Sequence, residues 1–172
     1  GGASVALLLA RAGAEVTLFE RVPTFRTVGA GIALQPNGLA VLRGLGLEEA
    51  IVARGRVLDA PRIVDAEGRI LFQPRFPDDG RVLMLRRSEL HEVLQQALES
   101  EPRIELRMGV EVKTACPEGS VFLEQGELRF DLVVGADGVH SLVRQSVDFG
   151  AKVTRTGVWY LRGLAHHELA TN

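Results

Sequence analysis

Apolar and small positions recur three and four apart at the start of the chain, where Ala3, Ala6 and Ala10 form one stripe among residues 3–10. That period predicts a helix able to lie close on a sheet, with Gly13 as its C-terminal stop. Glu15-Val16-Thr17-Leu18-Phe19-Glu20 then reads as a buried-type strand ending on an acid. Leu39, Leu42 and Leu45 predict a second helix, broken by Gly44 and Gly46, and residues 47–53 a short third one before Gly55. Within residues 57–71, Arg62-Ile63-Val64 and Arg69-Ile70-Leu71 flank the turn residues Ala66-Glu67-Gly68, the pattern of a hairpin. Pro74, Pro77 and Asp78-Asp79-Gly80 predict a loop, and the chain returns in a strand at Val82-Leu83-Met84-Leu85. Leu90, Val93, Leu94, Ala97 and Leu98 give a clear 3.6-residue period, so a helix is expected from Ser88, its natural N-cap, to about Ser100. Short strands are expected at 104–106 and 109–112, and a hairpin at 120–123 and 127–130 around Gln125-Gly126. The hairpin leads into Leu132-Val133-Val134, an apolar run without alternation that predicts a central strand covered on both faces, as in a parallel sheet.

Helices alternating with buried-type strands make this an α/β chain, with a parallel sheet and a small β-meander crossover before the last parallel strand. The polar, turn-rich stretch at 57–80 reads as an excursion into a second, antiparallel region. At 172 residues the chain is long enough to bury a core, and its net charge of −2 carries no basic stripe for nucleic acid. The single cysteine, Cys116, allows no internal disulfide and has no partners for a metal site, which suits a reducing, cytoplasmic compartment. No apolar run is long enough for an integral membrane segment, and there is no internal repeat.

Three places carry candidate chemistry. The run at 132–134 stops on Gly135-Ala136-Asp137-Gly138, followed by Val139-His140-Ser141-Leu142-Val143-Arg144. Glycines there let a backbone turn sharply and approach a ligand, and Asp137 offers a carboxylate at the edge of a sheet where α/β proteins bind ligands. An ordinary strand-to-helix turn with Ser141 as N-cap has the same spacing. Near the start, Glu20 stands eighteen positions after Gly2, close to the roughly 20 residues separating a phosphate-binding glycine turn from a ribose-binding acid. Gly2 would then be the last glycine of G-x-G-x-x-G, the first two and their strand lying upstream of residue 1. Gly29 and Gly31 around Ala30 permit another close backbone approach or a tight turn.

Residues 2–21, Val28-Gly-Ala-Gly-Ile-Ala-Leu-Gln-Pro-Asn37, Leu85-Arg-Arg-Ser-Glu-Leu90 and Asp131-Leu-Val-Val-Gly-Ala-Asp-Gly-Val-His-Ser-Leu-Val-Arg144 resemble, in order and spacing, the class A FAD-dependent aromatic hydroxylases, a family of flavoprotein monooxygenases that includes para-hydroxybenzoate and salicylate hydroxylases. The resemblance extends through Tyr160-Leu-Arg-Gly163. It implies a Rossmann-like FAD-binding domain formed by residues 1–56 and 81–150, with 57–80 and 151–172 as part of an antiparallel substrate-domain sheet. It also implies that Gly2 cradles the FAD pyrophosphate and that Glu20 binds the adenosine ribose with Arg21 beside it. Arg26, Ala30 and Gly31 would lie near the pyrophosphate and isoalloxazine, Arg87 at the ribityl-phosphate region, and Asp137 and Gly138 at a motif serving FAD binding and NAD(P)H use. His140 reads as a turn residue and His166-His167 as surface. The implied reaction uses non-covalent FAD, NADH or NADPH as co-substrate, O2 and a small aromatic substrate. Two of the three fingerprint glycines, the first strand and a second Gly-Asp flavin motif are expected outside residues 1–172, so these residues alone are expected to be inactive. A quinone-pathway hydroxylase, a halogenase, a polyprenyl reductase or a non-catalytic nucleotide-binding module would share the scaffold.

Overall fold

The computed structural model describes residues 1–25, 30–58, 62–73, 81–147 and 149–159. In chain order the elements are α1 (Gly2–Arg11), β1 (Val16–Glu20), β2 (Gly31–Leu34), α2 (Pro36–Gly44), α3 (Glu48–Val52), β3 (Arg56–Leu58), β4 (Ile63–Val64) and β5 (Ile70–Phe72). They continue with β6 (Val82–Arg86), α4 (Arg87–Glu99), β7 (Ile104–Met108), β8 (Thr114–Ala115), β9 (Ser120–Leu123), β10 (Gly126–Arg129) and α5 (Leu142–Ser146). The chain forms two compact units, one of Gly1–Arg26 with Gln95–Tyr160, the other of Thr27–Leu94 with Leu161–Asn172.

In the first unit, α1 buries Ala6 and Ala10 of the predicted stripe together with Leu7, while Ala3 is half-buried. Gly13 ends the helix with φ +97°, a conformation glycine adopts without penalty, and its N–H bonds Ala10 C=O at 2.9 Å. β1 runs parallel to β7, with Val16 opposite Ile104 and Glu20 opposite Met108. The expected strand at 109–112 does not form. Gly109 turns the chain at φ +72°, so the ladder stops at Met108, although Gly109 and Val110 still donate to the carbonyls of Val22 and Glu20. The meander is a three-stranded antiparallel sheet ordered β10-β9-β8. Phe130 packs edge-on to Phe19 with ring centroids 6.1 Å apart, and the Arg107 guanidinium lies 5.7 Å from the Phe19 centroid.

In the second unit, β6 is the middle strand of the antiparallel sheet β2-β6-β3. β2 was not foreseen, because Gly31-Ile-Ala-Leu is too short and glycine-led to show a period; pairing to β6 is what makes it a strand. Leu39, Leu42, Ile51, Leu83, Leu85 and Val93 form the core. Helix α4 begins directly after β6 at Arg87, so Ser88 lies inside the helix instead of capping it. The Arg87 N–H finds the Ala30 carbonyl at 2.9 Å, which satisfies one of the helix's first donors from outside. At the start of α3, the Glu48 side chain is 14% exposed and takes Arg43 Nε at 2.6 Å and Arg81 Nη2 at 2.9 Å. The expected hairpin appears as β4 and β5, with Ile63, Val64, Ile70, Leu71 and Phe72 exposed.

Among the described residues, no helix is long and apolar enough to cross a membrane, and no group of three or more His, Cys, Asp or Glu could hold a metal ion.

Candidate functional site

The predicted central strand at 132–134 forms no ladder, and Leu132 and Val134 are 63% and 47% exposed. An apolar run states a preference for burial, but a strand exists only where a second backbone lies alongside to exchange hydrogen bonds, and no described segment does so here. What orders this stretch is its end. Asp137 turns its carboxylate onto the start of α5 instead of leaving it at a sheet edge: Oδ1 accepts from Ser141 Oγ at 2.5 Å, and Oδ2 accepts from the N–H groups of Leu142 at 2.6 Å and Val143 at 3.3 Å. Ser141 is the N-cap that the spacing allowed, its Oγ accepting from Arg144 N–H at 3.0 Å. Burial pushes the Asp137 carboxyl up, but the Ser141 hydroxyl and the backbone N–H groups outweigh it and hold the acid below its ordinary range. The far end of α5 is tied down as well. Ser146 Oγ donates to Leu142 C=O and accepts from Thr114 Oγ1 at 2.7 Å and Ala115 N–H at 3.2 Å, which fixes the helix to β8. His140 is an exposed turn residue whose carbonyl accepts from Gln145 Nε2.

The two glycines of this turn are glycine for different reasons. Gly138 has φ +86° and open space around it, so its need is conformational. Gly135 has no positive φ, but a Cβ placed on it would stand 2.9 Å from Val143 Cβ and Cγ1, so its need is steric. Gly2 is also steric, since a Cβ there would meet Ala136 Cβ at 3.1 Å. That approach brings the first turn of α1 against the Asp137 turn.

Glu20 closes β1, and its Oε1 accepts from Val22 N–H at 3.0 Å, which fixes the carboxylate. Oε2 accepts no hydrogen bond from any described residue. Next to it the exposed Arg21 lines a cavity of about 410 Å3 together with Pro23, Gly109, Glu111, Lys113 and Glu124. The Lys113 ammonium, bonded to Glu111 at 2.5 Å, and more weakly Arg21 hold the Glu111 carboxyl below its ordinary range. No local pattern marks this cavity in the sequence; the alternating charges at Glu111 and Lys113 are its one signal there. In the second unit, Ala30, Gly31 and Arg87 come together through the Arg87 N–H to Ala30 C=O bond and the pairing of Gly31 with Arg86. Among the described residues a Cβ on Gly31 would touch only Leu85 C=O, at 3.9 Å, so none of them demands glycine there. Arg87 is exposed. Arg26 lies outside the described residues, as do Val28, Gly29, residues 160–163 and His166-His167.

Residues 1–166 match the family described as FAD binding domain. The chain belongs to that family. This FAD binding domain is 35% identical over 163 residues to 3-amino-4-hydroxybenzoate 2-monooxygenase of Streptomyces cremeus, covering 85% of this chain and 39% of that protein. It is 31% identical over 160 residues to 3-hydroxybenzoate 6-hydroxylase of Klebsiella oxytoca, covering 86% of this chain and 40% of that protein. Among solved structures, the tetrameric form of 2-methyl-3-hydroxypyridine-5-carboxylic acid oxygenase superposes with a TM-score of 0.76 at 32% identity, over 86% of this chain and 39% of that one. The chain thus spans about two fifths of the length of the curated relatives it matches. The α/β fold, with its parallel β1-β7 pair, meander and antiparallel sheets, is the expected class.

Proposed function

We propose that the natural protein carrying this chain is an FAD-dependent, NAD(P)H-consuming monooxygenase that hydroxylates a small aromatic substrate, with these residues holding the flavin. The observation that carries this reading is Glu20. Its carboxylate stands at the C-terminal end of a parallel strand, is fixed through one oxygen by Val22 N–H, and leaves the other oxygen as an acceptor. That acceptor fits the hydroxyls of a ribose, which would donate to it. Gly31 fits a bound group too, since its side chain is missing where the described residues leave room. The reaction type is supported by the relatives, whose names describe a monooxygenase and a hydroxylase of hydroxybenzoates.

In this reading Glu20 binds the adenosine ribose with Arg21 beside it, and Gly2 lets the N-terminal turn of α1 approach the pyrophosphate. Arg26, Ala30 and Gly31 line the pyrophosphate and isoalloxazine, and Arg87 offers a cation to the ribityl-phosphate. Asp137 and Gly138 serve flavin binding and NAD(P)H use. Bound flavin supplies the redox and oxygen chemistry, so the protein's work is binding, orientation and exclusion of water, and no side chain here acts as a nucleophile. Asp137, engaged on three of its own chain's donors, stays ionised at neutral pH and acts as a fixed negative charge rather than as a proton carrier. We assign residues 1–56 and 81–150 to the flavin side, and 57–80 and 151–172 to walls of the substrate region. We place the protein in the cytoplasm, on the lone cysteine among these 172 residues.

The test is to purify that protein, incubate it with FAD, desalt it and record the flavin absorbance. Oxidation of NADH and NADPH is then followed with hydroxybenzoates and hydroxypyridine carboxylates under 18O2, with products analysed by mass spectrometry. Retained flavin and one labelled oxygen in the ring are expected. A protein that retains no flavin refutes the reading. Flavin without ring oxygenation moves the protein to another flavoprotein class on the same scaffold.

A further inference from the structure

Val143 touches both ends of the turn that carries Asp137. Its N–H donates to Asp137 Oδ2 at 3.3 Å, while its Cβ and Cγ1 fill the space beside Gly135, where an added Cβ would stand 2.9 Å from each. The same added carbon would lie 3.5 Å from Asp137 Oδ1, so the carboxylate and the valine share one packing site. Val143 is itself held from behind. It sits on α5, whose last residue, Ser146, is bonded to Thr114 and Ala115 of β8. The meander therefore serves as the anchor, α5 as the arm and the valine as the stop against which the 135–138 turn rests. Gly135, with no positive φ, is free of any conformational need for glycine, which leaves this contact as the reason for its missing side chain.

We propose that Val143 is the positioning residue for Asp137: its branched side chain gauges the turn at Gly135 while its N–H holds the carboxylate, and together they set where that charge stands. The consequence for flavin rests on the function proposed above, whereas the clamp itself does not.

The test uses the natural protein carrying this chain and four variants, V143A, V143T, G135A and G135A/V143A. Two quantities are read: hydrogen exchange of the Leu142 and Val143 amides, which report the clamp with or without flavin, and FAD affinity from flavin fluorescence. V143A should exchange faster at both amides and bind FAD about threefold more weakly, and V143T, which keeps a branched Cβ, should recover most of both losses. G135A should weaken FAD by about tenfold through overpacking. The double variant keeps the contact with the Cβ of residue 143 but loses the one with Cγ1, so its affinity should recover part of the tenfold loss, to about fivefold below wild type, where independent effects would multiply to about thirtyfold. Wild-type exchange in V143A, or a double variant at least as weak as G135A, overturns the proposal. If G135A does not fold, the comparison of V143A with V143T decides alone. A wild-type protein that takes up no FAD refutes the flavin reading, and the exchange rates still decide the clamp.

Discussion

Replacing Asp137 by alanine removes the acceptor for three donors at once, and the structure sets the size of the loss. The Leu142 and Val143 N–H groups lie at an exposed helix end, so water replaces their lost partner and the loss is that of a cap, about 1 kcal/mol. Ser141 is buried, and its hydroxyl loses a charged acceptor at 2.5 Å, which adds roughly 1 kcal/mol. The total is about 2 kcal/mol, and for a chain of this length each kcal/mol moves the melting temperature by about 2–4 °C. Thermal unfolding followed by circular dichroism should therefore show Asp137→Ala melting about 4–8 °C below wild type at pH 7. The pH dependence follows from the same bonds. Burial raises the Asp137 pKa and the hydroxyl and N–H donors lower it further, so the folded value lies below that of an unfolded aspartate, about 3.9. The stabilisation is complete above that ordinary value and is lost as pH falls through the folded one. The gap between wild type and variant should thus be full above about pH 5 and close below it. Equal melting temperatures at pH 7, or a gap that widens on acidification, would refute the assignment of Asp137 as the acceptor that holds the start of α5.

Three further expectations follow from the same geometry. Glu20→Gln keeps an oxygen for Val22 N–H but loses the charge, so FAD affinity should fall by about tenfold with the melting temperature within about 2 °C of wild type, as read by flavin fluorescence and calorimetry. Gly138→Val should destabilise by about 1–2 kcal/mol more than Gly138→Asn, because φ +86° is open to asparagine and closed to a β-branched residue; urea unfolding of the two variants checks this. Glu48, held at a pKa of about 2 by hydrogen bonds from Arg43 and Arg81, should be worth about 1 kcal/mol at neutral pH, because both arginines are partly exposed to screening water. Since its folded pKa is depressed, that stabilisation is present above the ordinary value of 4.5 and lost towards 2, so Glu48→Gln should differ from wild type in urea unfolding at pH 7 and match it near pH 2.

The amino-acid order alone determined the elements whose signal is local. The alanine stripe of α1 and the Gly13 stop, the leucine face of α4 and the hairpins at 63–72 and 120–129 stand where the local pattern placed them. A helix or a tight hairpin closes its hydrogen bonds within a few residues, so side-chain spacing is enough to read it. It also determined the family, because four motifs in order over the whole chain are a long-range signature even when no partner is known.

Tertiary structure decided whatever depends on a distant partner. Leu132-Val133-Val134 has the composition of a central strand and no ladder, whereas Gly31-Ile-Ala-Leu has little strand signal and pairs with β6. Ser88 gave way to Arg87 as the start of α4 because the Ala30 carbonyl was within reach. Gly135 and Gly138 look alike in a string of letters, yet one is glycine for want of space and the other for its backbone angle. Asp137 could face a ligand or cap a helix, and only the placement of α5, pinned at Ser146 to β8, turns its carboxylate onto Leu142 and Val143. Spacing along the chain reports which side chains prefer burial; which backbone group or carboxylate meets which donor is set by segments far away in sequence, and that information exists only once the chain has folded.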